Sequence, residues 1–511
     1  MVPTSQYNTH KPKELRRFYE PLGILYELTL RDQMKPRSVF SVSAGGISIM
    51  QRRRDFVDSI AFIGAYSKEC DIAVALERHP DLLIVRVAGT GETEKIVVPF
   101  LNDLLTALST VVKSSIDDIR GELQDRIVIH LSDMALNYGQ EKIFAHYMKV
   151  LQDIAPMCLA DITTGLNEAA GDCLRFKCWF QDKFYKNGAI LTRQDMRALA
   201  RECFDARQSG QLEVLRKFTF QGNKHVTYFE KFHKGLANLS RTIDMVSKLF
   251  ESTVALRQDL ANDLVAKSLP SSTSLPIPLL PKKLSMESIS NRMFSNSSQR
   301  DDFLQKLQQI TPPSLAKALV NHSKKVVTEV HPELIVINHF DKLPDGGFLD
   351  EGDKYIGCTR LSCYLCHLFI SYHPARYSGI SANSKICLKW RLPDIWHEEC
   401  NAMTRAEYQK SILRQLINTI RNELEEKVNK EWMLQSHYLE SETQWTLPVD
   451  DDTFAYGSPP SSPKLTSASQ AACINQVTQE LDTKSDRASD AEKASDEDAE
   501  DIVLFKGRCR Y

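Results

Sequence analysis

The sequence predicts an α/β layered domain, preceded by a mainly α-helical region and followed by a disordered acidic tail. Three observations point there. Over residues 301–440 helix-like and strand-like segments alternate, the pattern of a layered α/β unit. Residues 1–267 carry helical periodicity with one clear β signal, a hairpin near 72–98. Between them, residues 268–300 hold ten serines and four prolines, a composition that reads as a linker because it offers little apolar surface against its ordering entropy. At a usual domain size of about 150 residues, a chain of 511 has room for such a division.

The β signal consists of the β-branched, apolar runs 72–76 and 82–88, separated by Glu77-Arg78-His79-Pro80-Asp81, a turn-like break. A third short run, 95–98, follows Gly89-Thr90-Gly91-Glu92 and completes a predicted meander, after which 101–112 is amphipathic at helical spacing. Residues 88–95 are not a phosphate loop: they lack the Gly-Lys-Ser/Thr ending and carry Glu92 and Glu94, which would repel phosphate. Leu236, Leu239, Ile243, Val246 and Phe250 recur at steps of three and four and make one packing face of a long helix.

Beyond residue 300 the spacing predicts helices over 302–310 and 314–321, a strand over 325–330, a helix over 331–340, and a strand over 354–358. A helix over 363–373 and a strand over 386–390 follow. Thr404-Arg405-Ala406-Glu407 is a capping box, opening a helix whose apolar face includes Ile412, Leu416, Ile420 and Leu424. The tail, 441–511, contains Ser458-Pro459 and Ser462-Pro463, read as linker composition, and an acidic run over 485–501.

Composition narrows the function. The hydrophobic share is 42% and the charged share 25%, ordinary for a globular chain. No stretch reaches about 18 uninterrupted apolar residues, and the first residues are polar and basic rather than a secretory signal. The expectation is an intracellular protein, cytoplasmic or nuclear, with no membrane partner. Net charge is −2, and without the acidic run the remainder is about +4, so no basic field favours long duplex nucleic acid. Twelve cysteines in a chain without a signal argue for thiols rather than disulfides. Five of them, Cys358, Cys363, Cys366, Cys387 and Cys400, fall in one segment, with five of the thirteen histidines in it or just before it. A metal site is to be sought there.

Two short motifs stand in that segment: His331-Pro332-Glu333 where a strand passes into a helix, and Cys363-Tyr364-Leu365-Cys366 opening a helix. His331, Cys363 and Cys366 make three ligands for Zn²⁺ and leave the fourth tetrahedral position to water, as a catalytic site requires. Zinc lowers the pKa of that water towards about 7. Helix amino termini stabilise thiolates, and Pro332 suits a first helical turn. Glu333 is the candidate proton carrier between the attacking hydroxide and the base with its leaving ammonia.

These residues resemble the zinc-dependent nucleic acid/nucleotide deaminase superfamily, which includes the cytidine deaminases. With Tyr355-Ile356-Gly357-Cys358 and Lys389-Trp390-Arg391-Leu392-Pro393 they resemble, over about 324–393, a divergent branch of filamentous fungi and intracellular bacteria. The resemblance implies a three-layer deaminase-like domain with a mixed sheet, zinc on His331, Cys363 and Cys366, and Glu333 as acid/base. It implies deamination of cytosine or adenine in a nucleotide or single-stranded nucleic acid. Trp390 and Ser362 are candidates for substrate contact or for support behind the ligands. Two positions depart from the family pattern: Pro332 replaces a small residue and Ser362 replaces a proline. The superfamily also has a β-hairpin ahead of its His-x-Glu helix, and we expect the runs 72–76 and 82–88 to supply it, with the helical region as an insertion. The alternatives are a closed four-thiolate zinc site of Cys363, Cys366, Cys387 and Cys400, or an inert deaminase fold. An inert fold would serve as an interaction module, with protein partners on the helical region and tail.

Overall fold

Alternation and turn chemistry make residues 72–89 a hairpin, and the remaining elements assemble around it. The computed structural model describes residues 11–31, 48–114, 121–164, 170–217, 226–311, 314–343, 347–378, 382–383, 385–396 and 399–443. Its elements begin with α1 (Pro12–Arg31), α2 (Ile49–Gly64), β1 (Ile72–Arg78), β2 (Leu82–Gly89) and α3 (Val98–Lys113). A helical region follows: α4 (Glu122–Tyr138), α5 (Gln140–Lys149), α6 (Ala155–Thr164), α7 (Ala170–Phe184), the small hairpin β3 (Tyr185–Lys186) and β4 (Ala189–Ile190), α8 (Met196–Gln208), α9 (Glu213–Lys217) and α10 (Val226–Ala255). Then come β5 (Asp263–Ser268), β6 (Leu275–Pro276), α11 (Met286–Met293), α12 (Ser297–Ile310), α13 (Ser314–Lys325), β7 (Val327–Thr328), α14 (Pro332–Phe340), β8 (Gly357–Cys358), α15 (Tyr364–Tyr372) and α16 (Ala402–Thr443). Met1–Lys430 is one compact unit and Glu431–Tyr511 a second.

The main sheet is mixed, in the order β5-β2-β1-β8. β1 runs antiparallel to β2, with Ile72 opposite Gly89, and to β8, with Ala73 opposite Cys358. β2 runs parallel to β5, with Leu82 opposite Asp263. The hairpin and residues 357–358 therefore share one sheet, as expected of strands interrupted by a long insertion.

The period of two sorts the faces. Ile72, Val74 and Leu76 of β1 and Leu83, Val85 and Val87 of β2 are buried in one cluster with Phe56 and Ile60 of α2, Leu101 and Leu105 of α3, and Val246 and Phe250 of α10. Each large aliphatic side chain so buried contributes about 1.5–3 kcal/mol. Ala73, Ala75 and Glu77 point to the other face, where small side chains let α14 lie across β1 and β2. Helix α10 joins two cores, since its Phe229, Phe232, Leu236 and Leu239 pack with Tyr147, Phe176, Phe180 and Phe184 of the helical region.

Several expectations are corrected. Residues 95–98 are not a strand: the π-helical turn Thr93–Val97 leads into α3, whose first turn takes Pro99. The far edge of β2 is already paired with β5, so the meander had no place for a third strand. The serine- and proline-rich stretch is built into the fold rather than a linker: β6 pairs with β7, and Ile277, Leu279, Leu284, Ile289 and Met293 are buried. Its polar residues work as caps, Ser285 Oγ accepting from Ser288 N–H and Asn296 Oδ1 from Ser298 N–H. A division at 268–300 thus cuts a sheet whose strands come from both sides. Of the run 325–330 only Val327–Thr328 is a strand, paired with β6 outside the main sheet. The run 386–390 forms no strand and only a bridge from Trp390 to Glu329. Helix α16 begins at Ala402, two residues before the expected cap.

One helix, Thr93–Lys113, is long and apolar enough to cross a membrane by composition, and its Leu101, Leu104, Leu105 and Leu108 are buried against the sheet core. The Ser-Pro pairs and the acidic run lie outside the described residues.

Candidate metal centre

His331 and Cys363 are both helix N-caps. His331 has extended backbone (φ −67°, ψ 151°) ahead of α14, and its carbonyl accepts from Leu334 and Ile335 N–H. Pro332 at the first helical position needs no donor. Cys363 caps α15 with φ −69° and ψ 163°, its Sγ accepting from Cys366 N–H at 3.5 Å. The edge strand β8 brings the second cap to the first: Thr359 N–H donates to Ile72 O at 2.9 Å, holding the chain to the start of β1 just before the cysteine motif. Residues 385–391 cross both helix starts. Tyr364 N–H donates to Lys385 O, Glu329 N–H to Lys389 O, and Arg391 N–H to Glu329 O.

The result is a close triad. His331 Nδ1 lies 3.6 Å from Cys363 Sγ and 3.3 Å from Cys366 Sγ. The three ligand atoms all fall within 4.8 Å of one another. Zn–S bonds of about 2.3 Å and a Zn–N bond of about 2.0 Å at tetrahedral angles place sulfur and nitrogen roughly 3.5 Å apart, so the donors fit such an ion. Among the described residues Cys387 and Cys400 do not join this group, and Cys400 is exposed. The four-thiolate arrangement is not assembled.

Charge is distributed to suit ligation. Burial alone raises the Cys363 thiol, but hydrogen bonding from Cys366 and the charge of His331 outweigh it and hold Cys363 well below the usual thiol range. Burial and the neighbouring Cys363 push Cys366 well up, against the pull of the Trp390 indole N–H. For His331, burial disfavours the cation, yet Cys363 and Cys387 together hold its pKa well above the usual value.

Glu333, in the first turn of α14, is buried, and burial raises its pKa despite the opposing charge of His331. Its Oε1 accepts from the fully buried Ser362 Oγ at 3.1 Å. Ser362 therefore touches the acid directly. Trp390 does not present a face for a base: it is 1% exposed, with ring centroids 5.6 Å from Phe18 and 6.4 Å from Phe369. The reason is α1, whose Phe18 covers the indole and whose Tyr19 Oη donates to Trp390 O at 2.8 Å. Cys358 ends β8 beside Glu333, and burial raises its thiol. His339, at the last turn of α14, contacts Glu77 of β1 at 2.5 Å, tying the helix to the sheet. Neither α1 nor Cys387 was found from the sequence, because Tyr19 and Trp390 are 371 residues apart and no local pattern links them.

Residues 330–394 match the family model described as OTT_1508_deam-like deaminase, a cytidine-deaminase-like family. No curated protein and no solved structure matches the chain. The segment that carries His331, Glu333, Ser362, Cys363 and Cys366 is thus deaminase-like by family and holds a ligand triad by geometry.

Proposed function

We propose that this protein is a zinc-dependent hydrolytic deaminase of a nucleobase, cytosine or adenine, carried in a nucleotide or a single-stranded nucleic acid. The observation that carries this reading is the position of Glu333, a buried carboxyl of raised pKa in the same helix turn as His331 and hydrogen-bonded by the residue preceding Cys363. Zinc held by His331, Cys363 and Cys366 would supply a Lewis acid and a water acidic enough to react near neutrality. Glu333 takes up the proton of the attacking water and returns it to the ring nitrogen and the departing amino group. Ser362 fixes one carboxylate oxygen and so directs the other. A raised pKa suits that exchange, since a carboxyl that holds its proton nearer neutrality gives and takes it with less cost. The mixed sheet with helices on both faces supports a three-layer deaminase-like domain, assembled from strands on either side of the helical insertion.

The test is incubation of the purified full-length protein with bases, nucleosides, nucleotides and single-stranded oligonucleotides, following ammonia release. Turnover of one member, lost in Glu333→Gln with zinc content unchanged, supports the reading. Absence of ammonia from every member in a zinc-loaded protein sinks it in favour of an inert fold.

A further inference from the structure

We infer that Trp390 is a positioning residue of the metal centre, its indole N–H donating to the Cys366 sulfur and holding that ligand in place. This role rests on the metal-binding reading above and adds to it a residue on neither ligand helix.

Trp390 Nε1 is buried, with no nitrogen or oxygen acceptor in reach. A buried donor needs an acceptor, and sulfur, larger and softer than oxygen, accepts at longer range. The indole lies edge-on to Phe369, which is three residues after Cys366 and on the same side of α15. The ring therefore sits over the helical turn that carries the second cysteine. It cannot swing away, because its backbone is held from several sides. Its carbonyl takes Tyr19 Oη at 2.8 Å, its N–H meets Cys387 O at 3.3 Å, and a parallel bridge ties it to Glu329, two residues before His331. The same N–H favours the anionic form of Cys366, as a hydrogen bond to a thiolate does.

Each sulfur of the centre is thereby given one N–H: Cys363 takes the Cys366 backbone amide, and Cys366 takes the indole. Such outer hydrogen bonds set the direction of a ligand and the electron density it offers to the ion. Helix α1 joins the centre by the same route, since it is the packing of Phe18 and the hydroxyl of Tyr19 that fix the indole.

The test uses the full-length protein with Trp390→Phe, which keeps an aromatic ring against Phe18 and Phe369 but removes the donor. Zinc affinity is read by chelator competition and ligand electronics by the thiolate-to-cobalt charge-transfer band of the Co²⁺-loaded protein. The expected result is about a tenfold loss of affinity, the lower end of the range for an outer-shell change, with the band moved to lower energy. A folded variant with wild-type affinity and an unmoved band overturns the role, leaving the indole as core filling. Should Trp390→Phe fail to fold, the wild-type protein loaded with ¹¹³Cd decides. An indole proton coupled to cadmium supports the hydrogen bond, and coupling at none of the five tryptophans overturns it. A wild-type protein with no cobalt charge-transfer band at all removes the metal centre itself, and this role with it.

Discussion

Replacing Glu77 by glutamine removes a buried charge that anchors the site-bearing helix to the sheet, and the cost should depend on pH. Glu77 Oε2 takes Arg86 Nε at 2.7 Å and His339 Nε2 at 2.5 Å, and Oε1 takes Arg86 Nη2 at 2.9 Å. Its side chain is only 6% exposed. Burial raises the carboxyl, but His339 and Arg86 outweigh it and bring its pKa from 4.5 to about 2. At 1.36 kcal/mol per pKa unit, that difference corresponds to about 3 kcal/mol of folding stability. Because the folded value is depressed, the contribution is complete above the unfolded value, near pH 5 and upward. It drains away as pH falls through the folded value near 2. Glutamine keeps the shape and one acceptor but not the charge. Urea unfolding of both proteins should show a deficit of about 3 kcal/mol at pH 7 that shrinks by roughly half or more at pH 3. An equal deficit at both pH values, or a Glu77 titration midpoint of 4 or above by ¹³C resonance, refutes the reasoning.

Three further outcomes are expected. His331→Ala should lower zinc content of the purified protein far below one equivalent, measured by elemental analysis, because two thiolates alone leave the ion half coordinated. Ser362→Ala removes the hydrogen bond to the Glu333 carboxylate, worth about 1.5–3 kcal/mol to the charged form, and so raises the Glu333 pKa further. In the pH–rate profile of an accepted substrate the acid limb should move to higher pH, and an unmoved limb would mean that Glu333 does not act as the base. Gly357→Ala would put a Cβ 2.7 Å from the Val57 carbonyl carbon and 2.8 Å from Asp58 N, both backbone atoms of α2. A destabilisation of about 1–3 kcal/mol in denaturant midpoints should follow, as for overpacking elsewhere.

Local chemistry carries far in this chain. The hairpin was legible because alternation and a proline-bearing turn are properties of neighbours in sequence, and so was the long helix with Leu236 and Phe250 on one face. The ligand set was legible for a related reason: His331, Cys363 and Cys366 sit at helix starts, where cap preference, thiolate stabilisation and Pro332 all act within a few residues. Composition misled where the function of a polar residue depended on its partner. Ser285 and Asn296 are caps, not linker residues, and the apolar residues between them are buried by elements far away.

The sequence alone determined that residues 330–394 offer one imidazole, two thiols and a carboxyl suited to hydrolytic metal chemistry, since those are side-chain identities at helix termini. Tertiary structure alone decided what surrounds them. The edge pairing of residues 357–358 with β1 sets one cap against the other, and packing of α1 withdraws Trp390 from any substrate and turns its N–H towards a ligand. Such contacts join segments hundreds of residues apart, and close packing, which has no local signature in the chain, is what selects them.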